Sequence, residues 1–410
     1  MRTVFSGGRL FDGETLQDGL AVIVDGASVT DVVPVAEAPE LTSPEEGQHI
    51  DTTSCTLLPG LIDCHVHLLY GAEGNPGSVV DGMAEAAVAV RGLENARASL
   101  EGGITAVRDC GGRDYIEFPI RDACNSGRFL GPTIRAAGRM ICMTGGHGNR
   151  FGRVADGVDE VIKAVREQVH AGSDLIKIMA TGGVMTPGVN PEDAHYSAEE
   201  MAAGIAEGHR FHKTCASHAQ GTEGVLNAVR GGIDSVEHGI FLNQQCVDEM
   251  TEAGTYLVPT LAALFNILEN PQKVPEYVLE KVTRIAARHQ ESIQMFHSAG
   301  GKIALGTDAG TPFNMHGDNA QELRHMVTVG MGPLDALRSG TSIAADLMRL
   351  EDQGRVRSGN AADLLVVAGD PSKDITAASD RKNHRMIMKN GITVVGSLAA
   401  PEPKIARAAE

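Results

Sequence analysis

Between Pro59 and about Leu350, short apolar runs alternate eight times with amphipathic stretches of helical length. That alternation constrains the fold more than any other feature, because strand–helix units leave the strands parallel and the sheet covered on both faces. The strand candidates are Gly60 to His67, Ile104 to Cys110, Thr133 to Ile141, Leu175 to Ala180, Thr214 to His218, Ser235 to His238, Tyr256 to Thr260 and Ile303 to Thr307. Helices are expected at Met83 to Leu100, Ser197 to His212 and Glu276 to Ala299, among others. Eight such units predict an α/β chain folded as a (β/α)8 TIM barrel, a fold of ~250 residues that lengthens by insertion. In that fold the chemistry sits where strands end. Two irregular stretches are long, Pro34 to Gln48 and Gly182 to Asp193, and the second is a candidate active-site loop.

The flanks read differently. From Thr3 to about Leu58 short β-prone runs are broken by turn residues, and the same texture returns at Ala362 to Ala368 and Arg385 to Val395, with Asn390-Gly391 as a hairpin turn. Two sequence-distant β pieces predict one small β-sandwich built from both termini. The expected division is 1–58 plus 351–400 for the sandwich, 59–350 for the barrel and 401–410 as a tail.

Composition excludes several classes. The chain has 410 residues, 42% of them hydrophobic and 21% charged, enough for a sizeable core. Its 53 acidic and 35 basic side chains leave a formal charge of −18, which repels a phosphate backbone, so neither nucleic acid nor an anionic membrane is an expected partner. Seven scattered cysteines include no C-x-x-C pair, and the first residues lack a basic stretch followed by an apolar one. A reducing, cytoplasmic home is the expectation.

The first strand ends in Asp63-Cys64-His65-Val66-His67, and side chains two apart on a strand share a face, so both imidazoles point into the barrel mouth while Cys64 points away. Lys177 lies within Leu175-Ile176-Lys177-Ile178-Met179, where an unpaired ammonium must be neutralised, paired or chemically changed. Reaction with CO2 would turn it into an anionic carbamate able to bridge two cations; the alternative is a lysine reaching past the strand end to solvent. His218 and His238 close the fifth and sixth strands, and Asp308 follows the eighth, where a carboxylate serves equally well as a helix N-cap. Singly, none of these residues means much. Jointly, His65, His67, Lys177, His218, His238 and Asp308 at the functional rim point to a metal centre, and imidazole with carboxylate suits zinc and related divalents.

With this ligand set the sequence resembles the amidohydrolase superfamily, binuclear subtype, in the branch of prolidase-like and Xaa-Arg dipeptidases and ochratoxin amidases. The segments that carry the resemblance run through nearly the whole chain: LPGLIDCHVHL, VRDCGG, GRMICMTGGHG, DLIKIMATGGVMTPG, ASHAQG, SVEHG, YLVPTL, LGTDAGTPFNMHGDNA and RVRSGNAADLLVV. It implies that His65, His67 and Asp308 hold one divalent metal, that His218 and His238 hold a second, and that carboxylated Lys177 bridges them. It also implies cleavage of a dipeptide or N-acyl amino acid by a hydroxide shared between the ions, with Asp308 as proton acceptor and donor, and a homo-oligomeric assembly. A non-peptide amide, carbamate, urea or lactam is the alternative substrate, since fold and ligands do not decide the acyl group. A non-catalytic metal-binding scaffold is the alternative of another class, although such a chain would be expected to have lost a ligand.

His147, in the glycine-rich loop Thr144-Gly145-Gly146-His147-Gly148, is placed to hydrogen-bond a substrate carbonyl or oxyanion. Tyr196 is a candidate for a substrate carboxylate or, equally, a structural residue beside the helix beginning near Ser197. Arg113, Arg150, Arg153 and His316 are further rim candidates. The Gly-rich GGRDY after Cys110 lacks phosphate-loop spacing.

Overall fold

The computed structural model describes residues 2–41, 43 and 45–396; the tail expected at 401–410 lies outside them. Its centre is α/β. Strands Leu61–Val66, Ile104–Asp109 and Thr133–Ala136 form one parallel sheet, and Arg153–Val154, Ile141–Cys142, Leu175–Met179, Thr214–Ala219, Ser235–His238 and Tyr256–Val258 form another in that order. These strands are almost wholly buried, as expected where helices pack outside a parallel sheet.

Two strand expectations need correction. Thr133 to Ile141 is split into Thr133–Ala136 and Ile141–Cys142, with Gly138 between them at φ +79°. Ile303 to Thr307 is not a regular strand; it makes a parallel bridge from Ile303 to Leu257, and Ala309 makes another to Val66. Backbone bonds nevertheless run on both sides of this segment, from Leu257 N–H to Lys302 O, Cys64 N–H to Leu305 O and Asp308 N–H to His65 O. The segment ends in a sharp turn, with Asp308 at φ +62°. Before that turn, Gly306 approaches Val258 and His65 so closely that a Cβ would meet Val258 Cγ1 at 2.2 Å.

The terminal segments form two further sheets. Ser28–Pro34, Leu20–Asp25, Arg2–Ser6 and Gly47–Asp51 make the first; Ile392–Val395, His384–Lys389, Leu364–Ala368, Cys55–Pro59, Arg9–Phe11 and Leu16–Gln17 make the second. The N-terminal and C-terminal segments meet where Leu57 pairs with Val366. Asn390 and Gly391 both take positive φ, which suits the tight turn joining His384–Lys389 to Ile392–Val395. Phe5, Val22, Val24 and Ile50 of one sheet and Leu57, Leu364, Val366 and Met388 of the other share one buried cluster. Among the described residues no helix is long and apolar enough to cross a membrane.

Candidate metal centre and cavity

The parallel register brings the site together. Lys177 pairs with Ala216, Met179 with His218 and Ala219 with His238, so neighbouring strands deliver their polar residues at staggered heights. Asp63 ties the first strand to the segment before Asp308, accepting from the N–H groups of His65 and Thr307 and from the Thr307 hydroxyl and the Asn319 amide. His238 and Asp308 have φ of +74° and +62°, a conformation uncommon for residues with a side chain.

Each of the four histidines commits one ring nitrogen to an acceptor outside the site. His65 Nδ1 lies 2.7 Å from Glu237 Oε2, His67 Nδ1 2.7 Å from Gly111 O, His238 Nδ1 2.7 Å from Thr260 Oγ1 and His218 Nε2 3.0 Å from Gly182 O. Thr260 donates its own proton to Pro259 O, so it accepts from His238. With those protons placed, His65, His67 and His238 turn Nε2 inward and His218 turns Nδ1 inward, all as bare lone pairs.

The lone pairs fall into two groups. His67 Nε2 and His65 Nε2 approach Asp308 Oδ1 at 3.2 and 3.5 Å, and His218 Nδ1 lies 2.9 Å from His238 Nε2. Two imidazole lone pairs at that separation repel unless a cation or proton lies between them. Donor atoms of His65, His238 and Asp308 all lie within 4.8 Å of one another. Lys177, 2% exposed, has no hydrogen-bond partner for Nζ, and Asp308 Oδ1 receives no well-formed hydrogen bond. Inward-facing imidazole nitrogens and an unsatisfied carboxylate oxygen are a donor set that suits a divalent cation, and the unpartnered Lys177 amine lies in the same lining.

Burial drives the histidine pKa values down, to about 3 for His238 and well below the ordinary value for His65 and His218. Burial also opposes ionisation of Asp308, yet the neighbouring His65 and His67 more than offset it and hold the carboxyl low. For His67 burial acts downward, but its approach to Asp308 outweighs it and raises the pKa. Neutral His65, His218 and His238 with an ionised Asp308 are in the protonation states metal ligation needs, and at His67 a bound cation would take the place of the proton.

The centre opens into a cavity of about 500 Å³. His147 lines it, 4.5 Å ring to ring from His218, with Nδ1 2.7 Å from Thr186 Oγ1 and a pKa that burial lowers to about 3. Gly183 makes room for that ring, since a Cβ there would meet His147 Nε2 at 2.5 Å. Tyr196 does not reach the cavity: it is 2% exposed and its hydroxyl donates to Ala155 O at 2.8 Å, so the structure corrects the substrate-contact reading to a packing role. Arg113 is turned to the carbonyls of Val80 and Met83, and Arg153 to Glu160 and Glu167. His316 is buried behind the centre against Ser99 and His67 O. Of the rim candidates only Arg150 lines the cavity, and it is paired with Asp81 at 2.5 Å.

Sequence reasoning missed Glu237. It is 0% exposed and binds His65, while Arg108 Nη2 and Ser235 Oγ bind its other oxygen at 2.7 and 2.6 Å. The signal was the one that singled out Lys177, a charge inside a buried apolar strand. Gln220, which lines the cavity with an unpaired amide oxygen, was also missed, because a polar residue past a strand end reads as loop.

Residues 56–394 match the Amidohydrolase family model. Ochratoxinase from Aspergillus niger is 29% identical over 97% of this chain and 87% of its own length. The crystal structure of a Xaa-Pro dipeptidase with bound methionine superposes with TM-score 0.87 at 32% identity, covering 96% of this chain and 99% of that one. A prolidase complexed with N-methylphosphonate-L-proline gives TM-score 0.87 at 30% identity, covering 97% and 100%.

Proposed function

From a chain that belongs to the amidohydrolase family, we propose a binuclear metal-dependent hydrolase that cleaves the amide bond of dipeptides or N-acyl amino acids. One observation carries this: three buried histidines and the partly buried His67 each spend one nitrogen outside the site and turn the other inward, beside Asp308 and the unpartnered Lys177. His65, His67 and Asp308 would hold one ion and His218 with His238 the other. Lys177 would bridge them after its amine adds to CO2, forming an N–C bond and releasing a proton to leave a carbamate. Zinc is the first metal to test, and two divalent ions there would supply polarisation of the scissile carbonyl and acidification of a water.

The chain's own residues do the rest. Asp308, ionised and facing the cavity, takes the proton of the attacking water and returns it to the departing amine. His147 is neutral; in the tautomer whose Nδ1 accepts from Thr186, its Nε2–H is free to stabilise the carbonyl oxygen as negative charge develops. The apolar Ile240, Leu264 and Ile267 narrow the space available to water. In the same reading residues 59–350 form a closed (β/α)8 barrel, supported by the backbone bonds of residues 302–309 to strands on both sides. Segments 1–58 and 351–400 form a small β-sandwich, supported by the cluster their sheets share.

A second reading, hydrolysis of a non-peptide amide, carbamate or urea, is favoured by the neutral carboxamide of Gln220 in the cavity. The test is metal content with turnover. The purified protein should hold close to two divalent ions per chain, and Lys177→Ala should lose both the second ion and hydrolysis across a panel of dipeptides, N-acyl amino acids and non-peptide amides. Full activity in that variant, or a free amine at Lys177 in electron density, defeats the proposal.

A further inference from the structure

Gln220 stands two residues beyond His218, just past the strand Thr214–Ala219, and lines the same cavity as His218. Its backbone is held on both sides: the N–H donates to Thr181 Oγ1 at 3.1 Å, and the carbonyl accepts from Phe241 N–H at 2.8 Å. The side chain is 4% exposed, lines the cavity, and keeps its amide oxygen without a hydrogen-bond partner. A buried carboxamide left so is unfavourable until a ligand completes it.

What completes it is constrained by its neighbours. Ile240, next to Phe241, lines the cavity and belongs with Leu264 and Ile267 to one apolar cluster, on which Val184 and Met185 also pack. Among the described residues the lining has two lysine or arginine side chains, Lys177 within the centre and Arg150 already paired with Asp81. A carboxamide offers one acceptor and two N–H donors, and a second amide answers both. A carboxylate answers only the donors and sets its charge against the buried oxygen.

We infer that Gln220 reads a neutral amide on the substrate, so that the site prefers amides whose flanking carboxyl is itself a carboxamide, with an apolar side chain on the Ile240–Leu264 wall, over the corresponding free acids. The inference rests on the proposed hydrolase reading and, within it, turns the substrate from free dipeptides and N-acyl amino acids to their neutral amides, in line with the second of the two substrate readings.

The experiment uses the metal-loaded full chain with N-acetyl-L-leucine and N-acetyl-L-leucinamide, recording calorimetric affinity and hydrolysis rate for each. The amide should bind about tenfold tighter than the acid. Gln220→Met should bring the two within about twofold of each other, and Gln220→Lys should reverse the order by pairing with the acid, both with wild-type metal content. Equal affinities in the wild type, a preference for the acid, an unchanged ratio in Gln220→Met, or binding of neither probe overturns the inference. Discrimination without hydrolysis of any amide would remove the hydrolase reading and leave this one standing; hydrolysis of both probes at equal affinity would do the reverse.

Discussion

Glu237 holds His65 in the tautomer that turns Nε2 inward, and Arg108 with Ser235 holds Glu237. Glu237→Gln weakens the acceptor and allows the His65 ring to lose its fixed proton. Metal affinity measured by chelator competition is expected to fall about 10- to 100-fold, the usual effect of removing a partner behind a ligating histidine. An unchanged affinity would show that Glu237 serves only Arg108. Glu117 makes a different claim. It is 0% exposed, neither carboxyl oxygen has a partner, and burial pushes its pKa well above the ordinary 4.5. The unfolded chain releases that proton above about pH 4.5 while the folded chain keeps it, so folding loses stability as pH rises from there toward the folded pKa. The slope from this group approaches about 1.4 kcal/mol per pH unit. Glu117→Gln should remove it, which urea unfolding at pH 5, 6 and 7 would read; a variant with the wild-type slope counts against a protonated Glu117. At this scale residue types were legible in the chain: an H-x-H at a strand end and a lysine within an apolar run are local patterns. Tyr196 was not, since a tyrosine before a helix looks the same whether its hydroxyl meets a ligand or Ala155 O.

Elements position these residues, and the loop Gly182 to Asp193 is the clearest case. Helix Glu276–Ser298 sets Tyr277, Lys281 and Arg284 on one face, four and three residues apart. Lys281 Nζ donates to Thr186 O at 3.0 Å and Val189 O at 2.7 Å, Tyr277 donates to Met185 O at 3.1 Å, and Arg284 pairs with Glu192. The loop so held carries Thr186, the partner of His147, and the apolar Val184 and Met185. Lys281→Met strands those carbonyls and frees the loop. We expect KM to rise roughly tenfold, equivalent to about 1.4 kcal/mol, with metal content unchanged and faster amide exchange across residues 183–189. Exchange at the wild-type rate would mean the loop is held by its apolar contacts alone. Helices were read well from periodicity: Ser197 caps Ala198–Arg210 through a box with Glu200, and Glu276 begins its helix as expected. Ile303 to Thr307 reads as a regular strand from its apolar composition, whereas the isolated bridges and bonds it makes are set by neighbours distant in sequence, Leu257 on one side and Cys64 on the other.

Across the whole molecule, a buried ion pair within the C-terminal segment reaches the central strands through hydrogen bonds to Thr133 and Gly60. Lys389 Nζ lies 2.6 Å from Asp363 Oδ2 and 2.8 Å from Thr133 Oγ1, and the Asp363 carbonyl accepts from Gly60 N–H just before the first central strand. With both side chains under 5% exposed, Lys389→Met leaves an uncompensated carboxylate and should destabilise the fold by about 3–5 kcal/mol. Denaturant unfolding measures this, and a loss below about 1 kcal/mol would show that water reaches Asp363 once the lysine is gone. The sequence alone determined the strand–helix alternation and the residue types at strand ends, because a two-residue or 3.6-residue period acts over neighbours in the chain, and its resemblance to the amidohydrolase superfamily carried the class of chemistry. Tertiary structure alone decided which nitrogen of each histidine faces inward, where Glu237 and Gln220 point, and that Tyr196 turns away. Those outcomes depend on partners far apart in sequence, 172 residues in the case of His65 and Glu237, and no local pattern encodes which of many possible partners folding will bring within hydrogen-bond reach.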